Sequence, residues 1–406
     1  MQKPQARELG DGPVPLLLMP LDDGVLAFSE RAQRLFAVNA TGASVLDQLQ
    51  QGLRPEQITQ SLVEQGLAAP DVAGNWVSSM VDVLDAGENA GQDQLAGPRP
   101  AVSDGDYPEA ATMPPLRPFK VKVERFYRLL GTTVLVRYAL TDQTRMVDSV
   151  IGHLRVEGSL APDSVIDIPG VNTGQIRSYI YRDAKPIAFA RRLSQVAPIV
   201  KGELWQCAVN AYDFLFYIHA GVVGAGRTCI LLPAAPGSGK SSLTAALTHR
   251  GFTYFSDEVA LIESHTFRVP PAPLAMCVKS TGWDMMAKYY PELLRVPSHG
   301  RSDGKMVRYL PPPADAIAKA SAPVSHIVFP KYNAKCTTEL CAISRSDALG
   351  RLMDECLALR RRLTAQDAQD ICRWIQGIDC YSLRFSSLTE AADLVSKLTA
   401  ANAAHA

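Results

Sequence analysis

Ala234, Ala235, Pro236, Gly237, Ser238, Gly239, Lys240, Ser241 and Ser242 follow one another in an order that suits phosphate chemistry. Glycines at 237 and 239 let the backbone curl, so that successive N–H groups converge on phosphate oxygens. A lysine directly after the second glycine reaches the β/γ-phosphates of a nucleotide, and the Ser241 hydroxyl is a ligand for Mg²⁺. Ala234 stands where the strict pattern has its first glycine. Further along, Tyr254-Phe255-Ser256 rises into two adjacent acids, Asp257 and Glu258. Phosphoryl transfer needs cations to neutralise charge and a carboxylate to take the proton of the acceptor hydroxyl. Asp257 is placed for that base, and Glu258 for Mg²⁺, directly or through water, together with Ser241. The plainer alternative is that one acid serves the metal and the other caps a turn. His219 opens another apolar run and is either a satisfied core histidine or a group near the phosphates and the base.

These residues need particular elements around them. Thr228-Cys229-Ile230-Leu231-Leu232 has the apolar character of a buried parallel strand, and Leu243 to Arg250 are helix formers stopped by Gly251. Strand, glycine-rich turn and helix is the context a phosphate loop requires, and the helix N-terminus adds its dipole. Residues 291–313 carry Arg301, Lys305 and Arg308 among Pro, Ser and Gly. They read as a basic flexible loop, either a lid over phosphates or a solvated surface segment. Lys279 is either a further cation for the site or an exposed lysine with no role.

The 406 residues suffice for two or three domains, and Lys+Arg and Asp+Glu balance at 41 each. That balance gives no global field for nucleic acid or an anionic membrane. The N-terminus lacks the apolar core of a secretory signal, and no run approaches a membrane span. All eight cysteines lie at or after Cys207, without zinc-knuckle spacing, and read as reduced thiols. The location expected on these grounds is cytoplasmic.

Residues 16–90 read as a separate module. Leu26-Ala27-Phe28 and Leu35-Phe36-Ala37-Val38 form a hairpin. Three amphipathic helices follow: Gly42–Gln51 capped by Thr41, one opened by Pro55, and Asn75–Asp85. A hairpin and three helices make a winged-helix-like unit without catalytic clusters, so binding is expected here. It is poor in Lys and Arg, which argues against DNA. Residues 91–117 read as a Pro/Gly linker. Residues 118–215 read as a β-rich subdomain leading into the domain at 216–400, with strands at Phe119–Val123, Thr132–Tyr138, Ser164–Ile168 and Ile176–Tyr181, then a helix over Pro198–Phe214. No site is legible in it.

Asn39-Ala40-Thr41-Gly42 and Gly52-Leu53-Arg54-Pro55-Glu56-Gln57-Ile58 resemble the running pattern of the PqqD family of peptide chaperones. The resemblance implies capture of the leader of a ribosomally made precursor peptide, by adding it as a strand to the hairpin edge. Residues 118–400 resemble the HPr kinase/phosphorylase superfamily, more closely its HPr-kinase-related branch. The likeness rests on His219-Ala220-Gly221-Val222-Val223, Ala234–Ser241, Ser256-Asp257-Glu258, Tyr381-Ser382-Leu383-Arg384-Phe385 and Leu388-Thr389-Glu390-Ala391. It implies an α/β P-loop kinase on a phosphoenolpyruvate-carboxykinase-like core, a Ser kinase using ATP and Mg²⁺ with roles for His219, Lys240, Ser241 and Asp257, and a multimeric state. Ser242 replaces an acid of HPr kinases, and Pro273–Lys279 replaces their Glu-Ile-Arg-Gly signature, which argues against reverse phosphorylase action. The expectation is a leader-guided peptide serine kinase. The alternatives are a kinase of a small carrier protein or metabolite, and a non-catalytic, nucleotide-gated peptide-binding protein.

Overall fold

The computed structural model describes residues 16–31, 33–85, 113–158, 161–173, 176–301 and 304–403. The linker expected at 91–117 lies outside them through residue 112. Two compact units are present: one groups the N-terminal segment with Ala342–Tyr381, the other holds the chain up to Cys341 and from Ser382 onward.

In the first unit, β1 (Leu16–Pro20), β2 (Gly24–Ser29) and β3 (Arg34–Asn39) form an antiparallel sheet in that order. It is followed by α1 (Ala40–Gln50), α2 (Pro55–Glu64) and α3 (Pro70–Asp85). β1 is additional to the expected hairpin. Asn39, not Thr41, caps α1: its Oδ1 accepts the Gly42 N–H at 2.9 Å, because Asn39 is still extended while Thr41 is already helical. Val25, Ala27, Phe36 and Val38 turn one face of the sheet toward Leu46 and Met80.

Leu26 and Phe28 point from the other face and are equally buried. Two helices from far along the chain, Arg345–Asp354 and Ala365–Gln376, lie against β1, β2 and β3. The Asp22 carboxylate accepts the Arg345 amide and guanidinium, at 3.2 and 3.1 Å. Gln33 exchanges two hydrogen bonds with the Leu363 backbone, and Gln376 Nε2 donates to Pro20 O at 2.9 Å. A strand that is apolar on both faces must be covered on both, and residues 342–381 are part of that cover.

The second unit is mixed α/β. A seven-stranded sheet spans Val123–Ala190, with Thr132–Tyr138 parallel to Ser164–Ile168 and antiparallel to Val123–Leu129. The strand expected from Phe119 starts only at Val123. The helix Val196–Ala211 follows, buried along most of its length. A further sheet takes the order Thr253–Ser256, Ala220–Ala225, Thr228–Pro233, Ala322–Tyr332, Asp379–Phe385, Glu339–Ala342. Its strand Thr228–Pro233 is buried and runs parallel to Ala322–Tyr332, as expected, and antiparallel to Ala220–Ala225, so the sheet as a whole is mixed. The helices Lys240–His249 and Leu388–Ala403 pack together, joined by an Arg250–Asp393 ion pair of 2.5 Å.

Residues 291–313, expected as a loop, form a short 3-10 turn at Pro291–Leu294 and a hairpin of Ser298–Gly300 with Met306–Leu310, which pairs with Met276–Lys279. Alternation of the buried Val307 and Tyr309 with the half-buried Arg308 drives the strand, while Gly304, at φ 75°, falls in the turn before it and Pro311, Pro312 and Pro313 end it. Among the described residues no helix is long and apolar enough to cross a membrane.

Candidate active site

The strand Thr228–Pro233 delivers the chain into the glycine-rich turn, and the helix Lys240–His249 takes it away. Gly237 and Gly239 have φ of 94° and 85°, whereas Ala234 is not left-handed, which is why alanine serves there. A Cβ on Gly239 would stand 2.6 Å from Phe385 Cζ, and the Tyr332 N–H holds Ser238 O at 3.0 Å, so the turn is braced by two strands of the sheet. On the neighbouring strand a Cβ at Gly221 would stand 2.3 Å from Thr244 Oγ1 and 3.3 Å from Lys240 Cγ. That glycine lets the helix, and the lysine stem with it, lie close to the sheet.

Lys240 is 6% exposed, and its Nζ donates to Asp257 O at 2.8 Å. Asp257 is 1% exposed. Its Oδ2 accepts the Cys277 N–H at 3.2 Å, the Ser241 hydroxyl bonds to the carboxylate, and Oδ1 has no partner among the described residues. Burial pushes this carboxyl above its ordinary range, with Lys240 opposing and Glu258 reinforcing the shift. A buried carboxylate oxygen without a partner is an acceptor suited to a proton donor or a cation.

Glu258 has a different environment: its Oε2 sits 2.6 Å from Lys201 Nζ on the helix Val196–Ala211. Burial acts to raise the Glu258 pKa, but Lys201, then Lys240 and Arg301, outweigh it and hold the group below the usual value. The two adjacent acids are thus driven apart, the pattern by which environment assigns different roles to paired carboxylates.

Sequence reasoning missed Lys201. The signal was a lysine inside Val-Ala-Pro-Ile-Val-Lys-Gly-Glu-Leu-Trp, a helical run apolar apart from Lys201 and Glu203. It also missed the Cys277 amide, supplied by the strand Met276–Lys279. Tyr254 OH to Leu274 O (2.7 Å) and Tyr290 OH to Ala245 O (3.0 Å) fix that strand and the lysine-bearing helix around one apolar cluster.

His219 sits within electrostatic range of Lys240, Glu258 and Lys279. Burial first, and Lys240 second, push its imidazole down to about 4, so it is neutral at pH 7. NMR titration of the unliganded protein is expected to show His219 changing charge near 4, and a midpoint near 6.5 would contradict this environment. Since the folded value lies below the unfolded one, the stability it contributes is complete above pH 6.5 and is lost as pH falls toward 4.

The structure therefore gathers Lys240, Ser241, Asp257, Glu258 and His219, with Arg301 and Lys279 within electrostatic range. Ala235, Pro236 and Gly237 are exposed at the tip of the turn, and Ser238 and Ser242 are half-buried beside it. Arg308 has other partners: its guanidinium stacks 4.3 Å over Trp283 and donates to Leu293 O at 3.0 Å. The Lys305 carbonyl accepts the Arg301 N–H at 2.9 Å in the hairpin turn.

Among the described residues no three His, Cys, Asp or Glu side chains form a metal cage. Hard oxygen donors are nevertheless adjacent, in the Ser241 hydroxyl and the Asp257 carboxylate beside it, and these fit Mg²⁺ shared with phosphate oxygens.

No family model and no curated protein matches this chain. Among solved structures, the HPr(Ser) kinase/phosphatase from Coxiella burnetii matches over 47% of this chain and 96% of its own, at 13% identity and a TM-score of 0.23. A similarity that low carries no argument about fold or activity.

Proposed function

We propose that this protein is an ATP-dependent kinase that transfers the γ-phosphate to a serine hydroxyl of a ribosomally made precursor peptide, with the N-terminal module capturing the leader. The observation that carries the catalytic half is one arrangement: a buried lysine and a serine open a helix beneath a left-handed glycine turn, beside a buried carboxylate with a free oxygen. The turn and helix N-terminus cradle the phosphates, and Lys240 leaves the Asp257 carbonyl for the β/γ-phosphates. Mg²⁺, when bound, neutralises the phosphate charge; Ser241 would hold it, with Glu258 nearby. Asp257 Oδ1 accepts the proton of the acceptor hydroxyl. His219, neutral, lies beside the same charges without adding to them.

The peptide half is supported by the PqqD-like sequence pattern and by the three-stranded sheet with its helices. Deleting residues 1–90 is an unsuitable test, because it would strip the cover from apolar residues of 342–381. Leader dependence is better read from the substrate. Intact-mass analysis after incubation with ATP and Mg²⁺ is expected to show one phosphate on a full-length precursor and a much slower reaction on the leaderless core. Equal rates on both would remove the leader from the reading. Phosphate on neither, with ATP bound, would favour a nucleotide-gated binder.

A further inference from the structure

Lys201 is the one feature of the site that neither the phosphate loop nor the acid pair explains. It comes from a helix of the β-rich subdomain, is 4% exposed, and reaches Glu258 Oε2 at 2.6 Å while standing 5.2 Å over the Tyr309 ring. Glu258 keeps 25% exposure. A lysine withdrawn from water against one carboxylate is costly to desolvate, and removing either partner leaves the other uncompensated. Resting on the reading above, that the site takes a metal–nucleotide, we infer that Lys201 is a positioning residue that claims Glu258 and keeps it from binding the metal on its own.

The consequence follows from charge. With Glu258 neutralised by Lys201, the adjoining Asp257 and Ser241 offer a free divalent ion one carboxylate and a hydroxyl. Few anionic oxygens mean weak binding, and affinity for a hard cation rises with ligand charge. The nucleotide phosphates supply the missing oxygens, so the metal is held well only with its nucleotide. Lys201 thereby makes metal occupancy conditional on nucleotide, and Glu258 stays in a fixed orientation beside the metal.

The test uses the full chain and Mn²⁺ alone, without nucleotide, followed by electron paramagnetic resonance. In Lys201→Met the freed Glu258 is expected to tighten Mn²⁺ binding by about tenfold or more, within the range by which residues supporting metal ligands alter affinity. Lys201→Met/Glu258→Gln, which removes both charges, is expected to return to the wild-type affinity, and also controls for folding. Unchanged or weaker Mn²⁺ binding in Lys201→Met, a double variant as tight as the single one, or no Mn²⁺ binding by any variant at millimolar concentration would each overturn the proposal. Nucleotide binding by the wild type, measured separately, decides the kinase reading, so the two can fail independently.

Discussion

Asp257→Asn is expected to lower the rate of phosphoryl transfer by ~10³-fold, within the span of general-base contributions, while ATP affinity changes little. Asparagine keeps the shape of the side chain, and its amide oxygen can still accept the Cys277 N–H that Oδ2 accepts at 3.2 Å. What it lacks is an oxygen that can take a proton. The substitution also removes a charge that burial makes costly, so the fold is expected to tolerate it. Single-turnover transfer and nucleotide binding, measured on the same preparation, separate the roles open to this carboxylate. Lost transfer with retained binding identifies the base. Equal loss of both would make Asp257 a holder of the metal–nucleotide through Ser241. Full activity would move the proton to another acceptor.

The residues that could be read from sequence are those whose partners are local or whose pattern is set by backbone geometry. The turn Gly237–Lys240 is one: left-handed backbone demands glycine, and the next residue starts the helix. Asp257 is another, because a buried strand ending in acids points them at the strand's end. Lys201 was hidden because its partner lies 57 positions away: the apolar residues around it mark it as a buried lysine but do not say which acid it meets. Residues 342–381 were hidden for the same reason, since they cover a sheet more than 300 positions earlier. A trace of that arrangement was present in β2, where Val25, Leu26, Ala27 and Phe28 leave no polar face for water. The basic stretch 291–313 misled because Pro, Gly and Arg dominate its composition, whereas two buried residues, Val307 and Tyr309, decide that it is a strand.

Lys240→Met is expected to weaken ATP binding by ~10²-fold or more, because the ammonium makes charge-assisted bonds of roughly 1.5–3 kcal/mol each to the phosphates. Methionine is the informative replacement because it keeps the unbranched stem that Gly221 accommodates, so a loss of binding is not a loss of packing. In the free protein Lys240 also opposes the rise in the Asp257 pKa. Without it, Asp257 holds its proton to higher pH, so the acid limb of the pH–rate profile is expected to move upward in Lys240→Met, apart from the loss of binding. The two substitutions are therefore not independent: on the acid side of that profile, where Asp257 without Lys240 keeps its proton to higher pH, Lys240→Met/Asp257→Asn is expected to be slower than Lys240→Met by less than Asp257→Asn is slower than the wild type. Losses that multiply in full would show Lys240 acting on the phosphates alone, with no hand in the state of the base. Isothermal titration for binding and single-turnover rates for the four proteins of the cycle provide the comparison.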